Sequence, residues 1–115
     1  MSQETAKRVL KIESEAIAAL ISRLGESFDQ VVELLAGCQG RVVATGMGKS
    51  GIVCRKIAAT FNSTGTPSIF LHPAEAIHGD LGMLAVGDIV LILSNSGETD
   101  ELVKLVETIK RLGIP

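Results

Sequence analysis

The chain has 115 residues, enough for one domain with a core of its own. Its 11 Lys and Arg against 13 Asp and Glu leave a formal net charge of -2, with no basic face for a nucleic acid backbone, and the absence of Trp and Tyr removes stacking platforms for bases. No apolar run approaches the roughly 20 residues of a membrane span, and the polar start does not resemble a secretory signal, so the expectation is a cytoplasmic protein that binds neither nucleic acid nor membrane.

Residues 4 to 24 carry Val9, Ile12, Ala16 and Leu20 beside Leu10, Ile17, Ile21 and Leu24. That spacing predicts an amphipathic helix, whose apolar stripe must pack on something; pairing with a second copy, as dimer or tetramer, is the expected use. Gly25 can end it, and Ser27-Phe28-Asp29-Gln30 reads as a capping box opening a second helix that runs to Gly37. These leading helices cover 4 to 37. Cys38 and Cys54 lack metal-ligand spacing and read as small hydrophobes.

From residue 41 the pattern becomes strand (41 to 45), helix (50 to 63), strand (68 to 71), loop (73 to 87), strand (88 to 93) and helix (98 to 112). Such alternation predicts an α/β fold, a three-layer αβα sandwich about a parallel sheet of about three strands, preceded by the two helices. Leu112-Gly113-Ile114-Pro115 reads as a helix end followed by the first residues of another strand, which suggests a partial domain over 1 to 115.

Two turns at strand ends stand out. The first is Gly46-Met47-Gly48-Lys49-Ser50-Gly51, where glycines let backbone N–H groups approach an anion at a helix start. The second is Ser94-Asn95-Ser96-Gly97-Glu98-Thr99, with hydroxyls and a helix start of its own. In an open parallel sheet both fall beyond the carboxyl ends of the strands and bracket one small ligand. The first turn fits G-x-G-x-x-G, but the second strand ends at His72-Pro73 without the acid that holds a ribose, so a sugar phosphate is preferred to a dinucleotide. A phosphate loop of the nucleotide-hydrolysing kind needs glycine where Val43 stands.

With Ser63-Thr64-Gly65-Thr66-Pro67 and the segment from His72 to Met83, which includes His78-Gly79-Asp80, the two turns resemble sugar isomerase (SIS) domains, a flavodoxin-like fold, and within them bacterial arabinose 5-phosphate isomerases. The His72 to Met83 segment is the more specific part. The resemblance implies interconversion of D-arabinose 5-phosphate and D-ribulose 5-phosphate through an enediol, serving 3-deoxy-octulosonate synthesis for lipopolysaccharide or capsule, without an organic cofactor. By the same resemblance Lys49, Glu101 and His78 match catalytic positions. Gly48, Ser50, Gly65, Thr66, His72, His78, Ser94, Asn95, Ser96 and Thr99 match substrate-binding ones, and His72 also matches a zinc position. The family's active site draws on a further glutamate and histidine beyond Pro115, and many members carry a pair of cystathionine-β-synthase-type domains. A non-catalytic sugar phosphate-binding regulatory module is the alternative.

Moving a proton between adjacent carbons requires a base, and a donor or cation for the oxyanion. Each candidate also has a plainer role. Lys49 can be a phosphate counter-charge, Glu101 a carboxylate favouring its helix dipole, and Ser94, Ser96 and Thr99 helix caps. His72 and His78 can be structural hydrogen bonders. Glu98 and Asp100 are expected to face solvent.

Overall fold

The structure is a computed structural model that describes residues 1–77, 79–97 and 99–115. The chain divides into two compact units, Met1–Glu33 and Leu34–Pro115.

In the first unit α1 spans Ser2–Ala19 and is followed by a tighter 3-10 turn, Ile21–Arg23, so the helix expected over 4 to 24 finishes in a different geometry. None of the residues of α1 is buried, and Leu10, Ile12 and Ile17 are well exposed. The helix α2, Glu26–Ala36, starts one residue before the expected Ser27 cap, which places Ser27 inside the first turn. The Phe28 N–H donates to the Gly25 carbonyl at 2.9 Å, so the turn that starts α2 is closed by Gly25.

The second unit holds β1 (Val42–Gly46), α3 (Gly48–Ser63), β2 (Ser68–Phe70), α4 (Pro73–Ile77), β3 (Ile89–Leu93) and α5 (Asp100–Arg111). The three strands are parallel in the order β2-β1-β3, with Val43 opposite both Ile69 and Val90. Every residue of the central β1 is buried, which is why its sequence is a continuous run of small and β-branched residues without alternation. On one face Ala44, Phe70 and Leu93 pack with Cys54 and Ala58 of α3. On the other, Val43, Ile69, Val90 and Ile92 pack with Ala76 of α4 and Leu102, Leu105 and Ile109 of α5. Helices therefore cover both faces, and the expected three-layer αβα arrangement is present with the flavodoxin-like 2-1-3 order.

The segment expected as a loop from 73 to 87 contains α4 and a 3-10 turn, Asp80–Met83. Pro73 stands at the first position of α4, where its fixed φ suits a helix and its missing N–H is no loss. Past α5, Ile114 enters the core on that face, and the Val90 N–H donates to the Pro115 carbonyl at 2.9 Å. The last residues thus begin to pair beside β3.

At the amino ends of the strands Asp88, 3% exposed, accepts the N–H groups of Arg41 at 2.8 Å and Ala85 at 2.9 Å. The Arg41 guanidinium lies 3.9 Å from the same carboxylate and donates to the Met83 carbonyl at 2.7 Å. Burial pushes the Asp88 carboxyl up, but the two N–H bonds and the Arg41 charge outweigh it and hold the pKa below the ordinary aspartate value. A β-carbon at Gly40 would collide with this carboxylate.

Candidate functional site

Parallel strands end along one edge. The chain leaves β1 toward β2 on one side and returns to β3 on the other, and the helices that follow β1 and β3 lie on opposite faces. Where the direction reverses, a crevice opens beyond the strand ends. It is a cleft of about 240 Å³, lined by Met47 and Ser50 after β1 and by Leu93, Ser94, Asn95, Ser96, Thr99 and Leu102 along the β3–α5 turn. That volume is below the ~300 Å³ at which drug-sized ligand pockets begin, and it suits a small polar molecule.

The first turn is shaped by close approach. A β-carbon at Gly46 would stand 3.0 Å from the Leu93 carbonyl oxygen and 3.1 Å from the Ser50 carbonyl carbon. Gly48 has φ +57, in the left-handed region that favours glycine, and opens α3. The first turn of α3 contains no acidic residue, so the partial positive end of a 16-residue helix and the exposed Lys49 both favour an anion at this end of the sheet.

The second turn is held by its own serine, since the Ser94 hydroxyl oxygen accepts the Gly97 N–H at 2.8 Å, and Gly97 has φ +70. Thr99 occupies the cap position of α5, yet its side chain makes no capping bond there. Capping therefore does not account for this threonine. Asp100 is exposed, as expected, and Glu101 is half-buried in the first turn of α5. Its Oε2 is buried and has no hydrogen-bond partner among the described residues. A carboxylate oxygen in that state is an acceptor held away from water.

The remaining expected residues divide. His72 ends the β2 segment at the same edge of the sheet, and its Nδ1 accepts the Ala74 N–H at 3.1 Å. Gly65 and Thr66 precede β2, whose first residue pairs with Val42, so they lie at the opposite edge of the sheet. The length of β1, roughly 13 Å at about 3.3 Å per residue, separates that edge from the cleft. The structure thus brings Gly48, Lys49, Ser50, His72, Ser94, Asn95, Ser96, Thr99 and Glu101 to one edge and leaves Gly65 and Thr66 apart. The expectations for His78 and Glu98 lie outside the described residues.

Sequence reasoning passed over three features. Met47, Leu93 and Leu102 give the cleft apolar wall, and only the placement of both turns at strand ends hinted at it. Thr45, the residue before Gly46, is fully buried, and its Oγ1 lacks a hydrogen-bond partner among the described residues. Arg55 lies over the Phe70 ring, 4.1 Å from the centroid, and Phe70 meets the His72 ring edge-on at 6.5 Å. A metal at His72 would need further ligands, and among the described residues no three His, Cys, Asp or Glu are grouped to hold one. No helix of the described residues is long and apolar enough to cross a membrane.

Residues 34–115 match the SIS domain. The arabinose 5-phosphate isomerase KdsD of Pseudomonas aeruginosa is 56% identical over 110 residues, covering 96% of this chain and 34% of that protein. The protein of the same name from Yersinia pestis is 52% identical over 109 residues, covering 95% and 33%. Among solved structures, an Escherichia coli protein in complex with arabinose 5-phosphate superposes with a TM-score of 0.90 at 46% identity, covering 96% of this chain and 59% of that one. A Bacteroides fragilis protein assigned as a phosphosugar isomerase involved in capsule formation does so with a TM-score of 0.91 at 40% identity, covering 97% and 59%. The chain spans about a third of the length of the curated relatives it matches. With the SIS match running through both strand-end turns and the parallel sheet that carries them, this chain belongs to the SIS domain family.

Proposed function

We propose that the cleft between the β1–α3 and β3–α5 turns holds the sugar phosphate of an aldose–ketose isomerase that interconverts D-arabinose 5-phosphate and D-ribulose 5-phosphate. The observation that carries this reading is the convergence of two helix starts, Ser50 and the Ser94 to Thr99 hydroxyls on one cleft of about 240 Å³. Relatives named for that isomerase, and a related structure in complex with the aldose phosphate, support it. On this reading the phosphate is held by backbone N–H groups and hydroxyls of both turns.

In the reaction a base removes the proton from the carbon next to the carbonyl, and the electron pair left behind forms the enediol double bond. The proton returns to the former carbonyl carbon, while a second proton moves between the two oxygens. Glu101 is assigned the carbon-bound proton, because its Oε2 is buried and has no hydrogen-bond partner among the described residues. Lys49 is the cation for the oxyanion, and His78 is a further candidate for the proton between the oxygens. Neither an organic cofactor nor an outside redox partner is required, since the two carbons exchange oxidation level internally. The product is assigned to 3-deoxy-octulosonate synthesis in the cytoplasm, and a homo-oligomer is the proposed assembly because α1 leaves Leu10, Ile12 and Ile17 exposed.

Proton NMR of the chain with arabinose 5-phosphate in deuterated water tests the reading. Ribulose 5-phosphate, or deuterium at the exchanging carbon, is the expected result. Binding with neither would fit a chain that lacks the further glutamate and histidine on which the family's active site draws, or a sugar phosphate-binding module, and no binding would remove the ligand assignment.

A further inference from the structure

Among the described residues two buried side-chain polar atoms have no hydrogen-bond partner, Thr45 Oγ1 and Glu101 Oε2. Native chains keep few such atoms, because each carries a desolvation cost that only a partner offsets. Thr45 is 0% exposed and stands opposite Ile92 of β3. Side chains alternate along a strand, so Thr45 shares the face of Val43, which belongs to one packed cluster with Leu71, Ile92, Leu102 and Leu105.

The helix α5 begins beside the cleft, which Leu102 lines, and the residues just after it reach the start of β3, where the Pro115 carbonyl accepts the Val90 N–H. It therefore runs back along the sheet, antiparallel to the strands. Glu101 precedes Leu105 by four residues and Ile109 by eight, so it lies on the buried stripe of α5, one turn nearer the cleft. Those four residues are about 6 Å of helix, and the two from Val43 to Thr45 are about 7 Å of strand in the same direction. From the cluster that holds Val43 and Leu105, the hydroxyl and the carboxylate thus arrive at one height on one face of the sheet.

We infer that Thr45 is the positioning residue of the Glu101 carboxylate, its hydroxyl holding Oε2 through one buried water. Neither atom reaches a protein partner directly, and one is a donor where the other is an acceptor. The Thr45 hydroxyl donates to the water and the water donates to Oε2, which gives a buried water the two polar partners it needs. With Oε2 held, the carboxylate keeps one orientation, and its other oxygen is left to take the carbon-bound proton. The pair stands on the fold; its use in proton transfer rests on the isomerase reading.

Valine has the outline of threonine without the hydroxyl, so the sign of Thr45→Val is decisive. A hydroxyl linked to Glu101 makes that variant melt lower, by about 5 °C, whereas an unlinked one in an apolar core makes it melt no lower. In the Glu101→Leu chain the same change should no longer reduce the melting temperature. Carbon-13 spectra of the chain labelled at its glutamate carboxyls should show the Glu101 signal, assigned by its loss in Glu101→Leu, displaced in Thr45→Val and restored in Thr45→Ser. Water should give a cross-relaxation peak to the Thr45 methyl group. A melting temperature that holds or rises in Thr45→Val, a fall that persists in the Glu101→Leu chain, or an unmoved Glu101 signal would overturn the pair, and a missing water peak would overturn the bridge.

Turnover of arabinose 5-phosphate by the same variants reads the positioning role. Thr45→Val should lower kcat about tenfold at unchanged KM, and Thr45→Ser should recover most of the loss. Full kcat in Thr45→Val would reject the role. An unsubstituted chain that gives neither product nor exchange would take proton transfer away from this chain and the role with it, while the melting and carboxyl measurements would still decide the pair.

Discussion

Gly51 lies so close to Gly46 that a β-carbon on it would stand 2.6 Å from the Gly46 carbonyl oxygen. The first turn of α3 therefore rests directly on the end of β1, and this approach aims the start of α3 at the cleft. Gly51→Ala has to separate helix and strand, and the expected loss of stability is about 1–3 kcal/mol. Urea unfolding should show a lower midpoint at unchanged slope; an unchanged midpoint would mean that the contact relaxes without strain.

Lys49 is exposed and makes no salt bridge among the described residues. Its removal should cost ligand and not fold. Lys49→Ala is expected to weaken arabinose 5-phosphate binding by about 10- to 100-fold, the range for a charge-assisted bond, with the melting temperature unchanged. Calorimetric titration reads the affinity, and an unaltered Kd would make Lys49 a bystander.

Ser94 acts through shape as well as contact. Without the hydroxyl that accepts the Gly97 N–H, the β3–α5 turn loses its internal brace. Ser94→Ala should lower stability by about 0.5–1.5 kcal/mol and weaken phosphate binding more than that structural loss alone predicts. Comparing the change in melting temperature with the change in Kd separates the two effects.

Asp88 sets an acid limit on the fold. Its folded pKa is depressed, so its contribution is fully present above the unfolded aspartate value of about 3.9 and is lost as pH falls through the lower folded value. Asp88→Asn should be less stable near neutrality by about 1–3 kcal/mol, because an amide group then faces one of the N–H donors of Arg41 or Ala85. The gap to the unsubstituted chain should narrow below about pH 4. Urea midpoints followed from neutral to acid pH check the sign; a gap that widens with acid would contradict it.

Cys54 is fully buried behind β1, and its thiol donates to the Thr45 carbonyl at 3.2 Å. Burial raises its pKa, with a backbone hydrogen bond at Leu93 partly offsetting the shift. In the folded chain, alkylation at neutral pH should reach the half-buried Cys38 well before Cys54, and urea should abolish the difference. Peptide mass spectrometry of the labelled protein distinguishes the two sites.

The architecture was legible because β1, α3, β3 and α5 are punctuated by glycine and serine turns, and those same turns form the walls of the cleft. The helix α4 was missed for a physical reason: five residues give no periodicity, and its signals are one proline and a histidine cap. The Asp88 network was hidden because its partners Arg41 and Ala85 come from different loops, and charge alone does not reveal a buried aspartate. The position of Gly65 and Thr66 could have been anticipated. A residue just before a parallel strand is at the edge opposite the one that carries the two glycine and serine turns.

The order β2-β1-β3 also has a kinetic meaning. β1 must pair with β3 across the chain, Val42 with Ile89, and the cleft takes Ser50 from one partner and Ser94 from the other. On the proposed sugar phosphate reading neither half holds ligand until that distant pairing is made, and parallel pairing of this kind is slow because the intervening loop must close first. Binding competence therefore arrives late in folding. During refolding, recovery of ligand affinity should trail the early helical signal, so that the sugar phosphate reports the docking of β3 onto β1.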